Sequence, residues 1–207
     1  MPPIVGPVTE LPLADGRPPR ERADAARNRA KILAAAERLF AGGDPAGVTM
    51  DDIARAAGIG RGTLYRRYPD RASIARALLD EHERALQERL LRGAPPLGPG
   101  GADGPEPAPA ERLAAFYAAM VELLETHVHL VLGAETGAAR YRTGAYAFWR
   151  LHVAHLARRA GLPDPDTVAD QLLAPLAPEL FRHQRDAGLG PERIAAGLAV
   201  LARGALG

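Results

Sequence analysis

The chain has 207 residues, 47% hydrophobic and 25% charged, with Lys+Arg 26 against Asp+Glu 25 and a formal net charge of +1. That length is enough to bury a real core in one large domain or two small ones. The absence of cysteine excludes a disulfide scaffold, a Cys-based zinc finger, an iron–sulfur cluster and a thiol nucleophile.

The N-terminal residues 1–21 are proline-rich, lack a helical period, and read as a disordered arm. They show neither the basic start nor the compact apolar stretch of a secretory signal. Apolar spacing begins near Arg22: Ile32, Leu33, Ala36, Leu39 and Phe40 recur at helical intervals until Gly42-Gly43-Asp44-Pro45 stops them. Thr49-Met50-Asp51-Asp52 reads as an N-cap with an acid three residues on. It opens a short helix with Ile53, Ala54 and Ala57 inside. Gly58-Ile59-Gly60 makes a turn, and a second short helix runs from Arg61 to about Tyr68, where Pro69-Asp70 ends it. A longer helix follows from about Ala72 to Leu91. Residues 93–109 hold eleven Gly or Pro in seventeen, so no regular element persists and a linker or mobile loop is expected.

The remainder is helical. Glu111–His129 carries Leu113, Phe116, Tyr117, Met120, Leu123 and Leu124 on one period; Ala138–Ala160 carries Tyr141, Phe148, Trp149 and His152. A helix over about Thr167–Asp186 contains Pro175 and Pro178, which predict a kink. Pro191 begins the last helix. No strand-like alternation of useful length and no apolar run of about 20 residues is present. The expected fold is all-α with about nine helices: the arm 1–21, a helix-turn-helix domain 22–71, and a helical domain 72–207 with its loop at 93–109.

Charge is unevenly spread. Residues 20–71 hold ten Arg and one Lys against seven acids, a local +4; residues 72–207 hold fourteen Arg against sixteen acids, a local −2. Within the first segment, Arg55, Arg61, Arg66, Arg67 and Arg71 face a single acid, Asp70. A helix-turn-helix lays its second helix in a major groove while the first sets its angle. That second helix presents Arg61, Gly62, Thr63, Tyr65 and Arg66 near its start. Arginine pairs with guanine edges in bidentate fashion, hydroxyls suit phosphate oxygens, and glycine allows close approach. Arg67 and Arg71 add cationic contacts at the far end.

The segments RAKILAAAERLFAGG, VTMDDIARAAG and GIGRGTLYRRYPDRASI closely resemble the DNA-binding domain of the TetR (tetracycline-repressor-like) family over roughly residues 25–80. The resemblance implies a homodimer whose third helices read the half-sites of a palindromic double-stranded DNA operator. It implies C-terminal helices that bind a small-molecule effector and dimerise, and release of DNA when the effector binds. By this resemblance Arg61, Gly62 and Thr63 are base-reading candidates. Thr49, Tyr65, Arg67, Tyr68 and Arg71 are phosphate-contact candidates. Two features depart from the family: Gly60 where a capping side chain is usual, and the long Gly/Pro stretch.

In the C-terminal half, Phe116, Tyr117, Met120, His127, Tyr146, Phe148, Trp149 and His152 are either plain core or an effector pocket. Val168, Leu172, Leu176, Leu180, Ile194, Leu198 and Leu201 form either an internal core or a dimer face; the resemblance favours the dimer. Metal binding needs three or four converging ligands and no cysteine is available, so no metal is expected. Catalytic motifs and cofactor fingerprints are absent from the sequence. The expected protein is a cytoplasmic, ligand-responsive transcriptional regulator that is a repressor and not an enzyme, with no membrane contact. The alternative is a small helical enzyme or ligand carrier whose helix-turn-helix does not bind DNA.

Overall fold

The computed structural model describes residues 19–42, 47–100, 104–134 and 141–207. The proposed arm over 1–18, the Gly43-Asp44-Pro45 stop and the helix start expected at Ala138 lie outside the described residues. Among these residues the chain is all-α, with nine α-helices, a short 3₁₀ turn and no strand. It divides into two compact units between Pro69 and Asp70.

The first unit holds three helices. Helix α1 (Pro19–Ala41) begins earlier than the apolar period does, taking in residues 19–21 that the sequence assigns to the arm. Its Ile32, Leu33, Ala35 and Ala36 are buried, the i, i+3, i+4 stripe of a core-facing helix. Helix α2 (Met50–Ala57) starts in a complete capping box. The Asp52 N–H donates to Thr49 Oγ1 at 3.2 Å, and the Thr49 N–H donates back to Asp52 Oδ2 at 3.2 Å. Each side chain thereby satisfies a backbone donor that has no partner within the helix. Gly58 ends α2 at φ 64°, a left-handed conformation that glycine adopts without steric cost. Helix α3 (Arg61–Arg67) follows after two residues. Ile53, Ala54, Ala57, Leu64 and Tyr68 complete the buried set of this unit with the α1 stripe.

The second unit opens with α4 (Arg71–Arg92), capped by Asp70, whose carboxylate accepts the Ser73 N–H at 2.7 Å. Helix α5 (Pro109–Ala134) is its centre and packs on α4, α6, α8 and most extensively on α9. Helix α6 (Gly144–Arg159) is capped by Thr143, which accepts the Tyr146 N–H at 3.1 Å. Phe116 and Tyr117 of α5 and Leu156 and Val153 of α6 are fully buried at the heart of this core.

The kinked helix expected over Thr167–Asp186 is instead broken. It forms α7 (Pro165–Leu173), a 3₁₀ turn Ala174–Leu176, and α8 (Pro178–Asp186). Two prolines three residues apart each remove a backbone donor. Ala177, preceding Pro178, takes ψ 125°, the extended geometry that a following proline imposes. Helix α9 (Pro191–Leu206) closes the chain.

The Gly/Pro stretch forms no regular element, yet its described residues are tied to the core. Leu97 is buried, and the Gly98 N–H donates to the Ala94 carbonyl at 3.0 Å. The buried Arg112 of α5 donates to the Leu90 carbonyl at 3.2 Å and to Glu106 Oε1 at 2.6 Å. Arg159 of α6 reaches the same Glu106 oxygen at 2.7 Å. A Cβ at Gly98 would lie 2.1 Å from the Gly93 carbonyl oxygen, so this close turn accepts only glycine.

Candidate nucleic-acid interface and effector cavity

Helix α3 is short, ends in arginines, and buries only Leu64. Leu64 anchors it to the unit, leaving Arg61, Gly62, Tyr65, Arg66 and Arg67 exposed. Tyr65 is 47% exposed, a large aromatic ring held in solvent with its hydroxyl available. A Cβ built on Gly62 would meet nothing within 4 Å. Among the described residues, therefore, nothing in the fold requires glycine there. Thr63 is half-buried and lines a cleft of about 560 Å³ between α1 and α3, together with Asn28, Arg66 and Arg67.

Gly60 sits at the N-cap of α3 with no side-chain hydrogen bond, as its identity dictates. Only its carbonyl serves the helix, accepting the Thr63 and Leu64 N–H groups at 3.0 and 3.1 Å. Arg61 forms an ion pair with Asp51 of α2, a partnership that the spacing did not reveal because the two residues are ten apart. Thr49 spends its hydroxyl on the α2 cap, and its hydrogen bonds hold the Asp52 carboxyl below the usual carboxylate value, with Arg55 adding to the effect. Tyr68 is buried at 7% exposure and packs within the unit. Arg71 opens α4 and belongs to the second unit.

In the second unit a cavity of about 70 Å³ is lined by Met120, Tyr146, Trp149, Leu173 and Leu176, with Glu83 and Thr143 as polar members. Of the aromatic and polar group picked out in the sequence, it gathers Met120, Tyr146 and Trp149. Phe116 and Tyr117 are wholly buried in the surrounding core, and the Tyr117 hydroxyl donates to the Leu172 carbonyl at 2.7 Å. Burial also pushes the Tyr117 phenol up from its ordinary value. Phe148 packs edge-on against Trp149, with ring centroids 5.4 Å apart. His127 is buried and hydrogen-bonded through its ring to His82 of α4. The His152 ring centroid lies 5.4 Å from that of Phe116, and its Nε2 is buried without a hydrogen-bond partner among the described residues. Burial, aided by the charges of Arg112 and His155, pushes the His152 imidazole down to about 4, so it is neutral at pH 7. Glu83, Thr143 and Leu173 entered the cavity without a sequence signal, and Leu176 joins them from the apolar row; together they come from three separate parts of the chain.

The apolar row assigned to dimerisation divides. Leu176, Ile194 and Leu198 are buried in the unit's own core, and Val168 and Leu172 pack partly against it. Leu180 and Leu201 are exposed at 40% and 49%, and Val200 of α9 joins them at 61%. Helical spacing marks a row as apolar; it does not say which neighbour covers it.

Comparison with known proteins places this geometry. The sequence profile of "Bacterial regulatory proteins, tetR family" matches residues 32–78. An uncharacterised HTH-type transcriptional regulator of Mycobacterium tuberculosis is 43% identical over 61 residues, 30% of each chain. The HTH-type transcriptional regulator TtgR of Pseudomonas putida is 42% identical over 65 residues, 31% of each chain. The match thus spans about a third of these curated relatives, the part that holds the helix-turn-helix. A crystal structure of the TetR transcription regulatory protein from Mycobacterium vanbaalenii is 31% identical. It covers 81% of this chain and 98% of its own, with a TM-score of 0.51. The chain belongs to the TetR family.

Proposed function

We propose that this TetR-family chain is a dimeric, ligand-responsive regulator of transcription, a repressor that releases a palindromic DNA operator when a small molecule enters its second unit. One observation carries the reading. A capped helix, a left-handed glycine turn and a short helix anchored by Leu64 hold Arg61, Gly62, Tyr65, Arg66 and Arg67 out to solvent on a single element. An α-helix of that size fits a major groove, where arginine reads guanine edges and the tyrosine hydroxyl meets phosphate. Arg61 and Thr63 are the base readers in this proposal, with Arg66 and Arg67 on the backbone.

The exposed Leu180, Val200 and Leu201 support self-association through α8 and α9, and a two-fold dimer reads an inverted repeat. The effector reading rests on the cavity beside Trp149. At about 70 Å³ it is smaller than a drug-sized pocket of roughly 300–1,000 Å³, so a larger guest enters by displacing its walls. One wall is Glu83 of α4, the helix that continues directly from the DNA-reading unit. A guest that binds the displaced arrangement better than the resting one shifts the equilibrium away from DNA.

The test is selection of binding sites from random duplex DNA with the purified full chain, followed by gel shifts with and without candidate small molecules. Enrichment of an inverted repeat whose binding weakens steeply with salt is the expected result. Failure to enrich any sequence overturns the regulator reading.

A further inference from the structure

From the pairing of Arg61 with Asp51, we infer that Asp51 is a specificity-determining residue, a carboxylate that buttresses the base-reading arginine. The inference rests on the DNA-binding reading above.

The two acids at the start of α2 have divided duties. Asp52 turns back on its own helix, completing the cap with Thr49 and pairing with Arg55 at 3.1 Å. Asp51 instead reaches across the turn to Nη2 of Arg61, the first residue of α3. The Arg61 side chain is 69% exposed and that of Asp51 35%, so the pair lies at the surface that α3 offers to solvent. A surface ion pair of this kind contributes little to folding, because water screens it and two side chains lose freedom. Its consequence is geometric. An isolated exposed arginine samples many rotamers, and all of that freedom is lost when it docks on a base. A carboxylate holding one guanidinium nitrogen removes much of that freedom beforehand. Arginine has several N–H donors in a planar fork, so one bond to Asp51 leaves enough of them for a bidentate guanine contact.

The same carboxylate works against non-specific binding. Asp51 cancels the charge of Arg61 and adds a negative group near the phosphates, which lowers affinity for every duplex alike. Exclusion of water on docking strengthens the Asp51–Arg61 bond, so the arginine stays aimed at the base and does not swing to a phosphate. An arginine without this partner binds DNA more readily and reads it less well.

The experiment uses the purified chain, its selected operator, and operators substituted one base pair at a time. Asp51→Asn keeps the shape and removes the charge. It should narrow discrimination at one guanine-containing base pair by about tenfold, within the range of a bidentate arginine contact, while affinity for unrelated duplex holds or rises. Arg61→Ala should narrow discrimination at that same base pair, and the double variant should narrow it no further than Arg61→Ala does. Asp51→Glu, which retains the carboxylate, should recover most of the discrimination. Asp51→Ser, a residue suited to the start of a helix, is measured in parallel, with thermal melts on all variants, so that misfolding of one does not leave the question open. Unaltered base preference in folded Asp51→Asn or Asp51→Ser overturns the inference while leaving the regulator reading intact. A wild-type protein that selects no sequence overturns both.

Discussion

Protonation of His152 should cost the second unit measurable stability between neutral and mildly acid pH. The residue is half-buried beside Phe116, its buried Nε2 has no hydrogen-bond partner among the described residues, and Arg112 lies near enough to oppose a positive charge. Burial, the largest cause, and the two cationic neighbours move it from 6.5 to about 4. The folded state therefore holds the neutral form, while the unfolded chain takes up a proton near 6.5. Stability from this group is complete above pH 6.5 and falls as pH drops toward 4, because the unfolded state binds the extra proton. At about 1.4 kcal/mol per pH unit the full effect is about 3 kcal/mol, most of it lost by pH 4.5. Urea denaturation at pH 7.5 and pH 4.5, at one fixed protein concentration, measures it. Wild type should lose about 2–3 kcal/mol more than His152→Gln across that interval. Parallel losses in the two proteins would refute the assignment of an imidazole that its surroundings keep neutral.

Other expectations follow from the same structure. Gly62→Ala should raise the thermal stability slightly, by about 0.5–1 kcal/mol as for glycine in a helix, because nothing in the fold opposes the new methyl. The same variant should weaken operator binding in a fluorescence titration, since the methyl meets only the DNA. Arg67→Ala should weaken specific and unrelated duplexes about equally and lower the salt slope by about 1, read from binding at several salt concentrations. Thr49→Ala removes the acceptor for the Asp52 N–H and should cost about 1 kcal/mol in the first unit by thermal melting. Val200→Asp combined with Leu201→Asp places charge on the exposed stretch of α9. It should shift the protein to monomer in sedimentation or light scattering without altering its helix content by circular dichroism.

Much of the DNA-reading unit was legible because its signals are local. A threonine three residues before an aspartate, a glycine that permits a positive φ, and a leucine in a seven-residue helix each act within a turn or two of the chain. The aromatic cluster was legible only as a concentration of rings. Phe116 and Tyr117 sit side by side in the core, while Tyr146 and Trp149 reach a cavity with Leu173 and Leu176, which lie at the proline break. Nothing in the spacing of Pro175 and Pro178 separates a kink from a break; that depends on whether the following turn finds partners in a new direction.

The sequence by itself determined the helical class, most helix starts and stops, the glycine turn and the cationic second helix of the reading head. These follow from hydrogen bonding and steric limits between residues a few positions apart. The tertiary structure alone decided which apolar rows face inward, so that Leu176, Ile194 and Leu198 serve the core while Leu180, Val200 and Leu201 remain exposed. It alone brought Asp51 to Arg61, Glu106 to both Arg112 and Arg159, and Glu83 to the wall beside Trp149. The physical reason is common to all of these. Burial and charge pairing depend on what a second helix brings to the face of the first, and that is set by packing over distances that periodicity does not record.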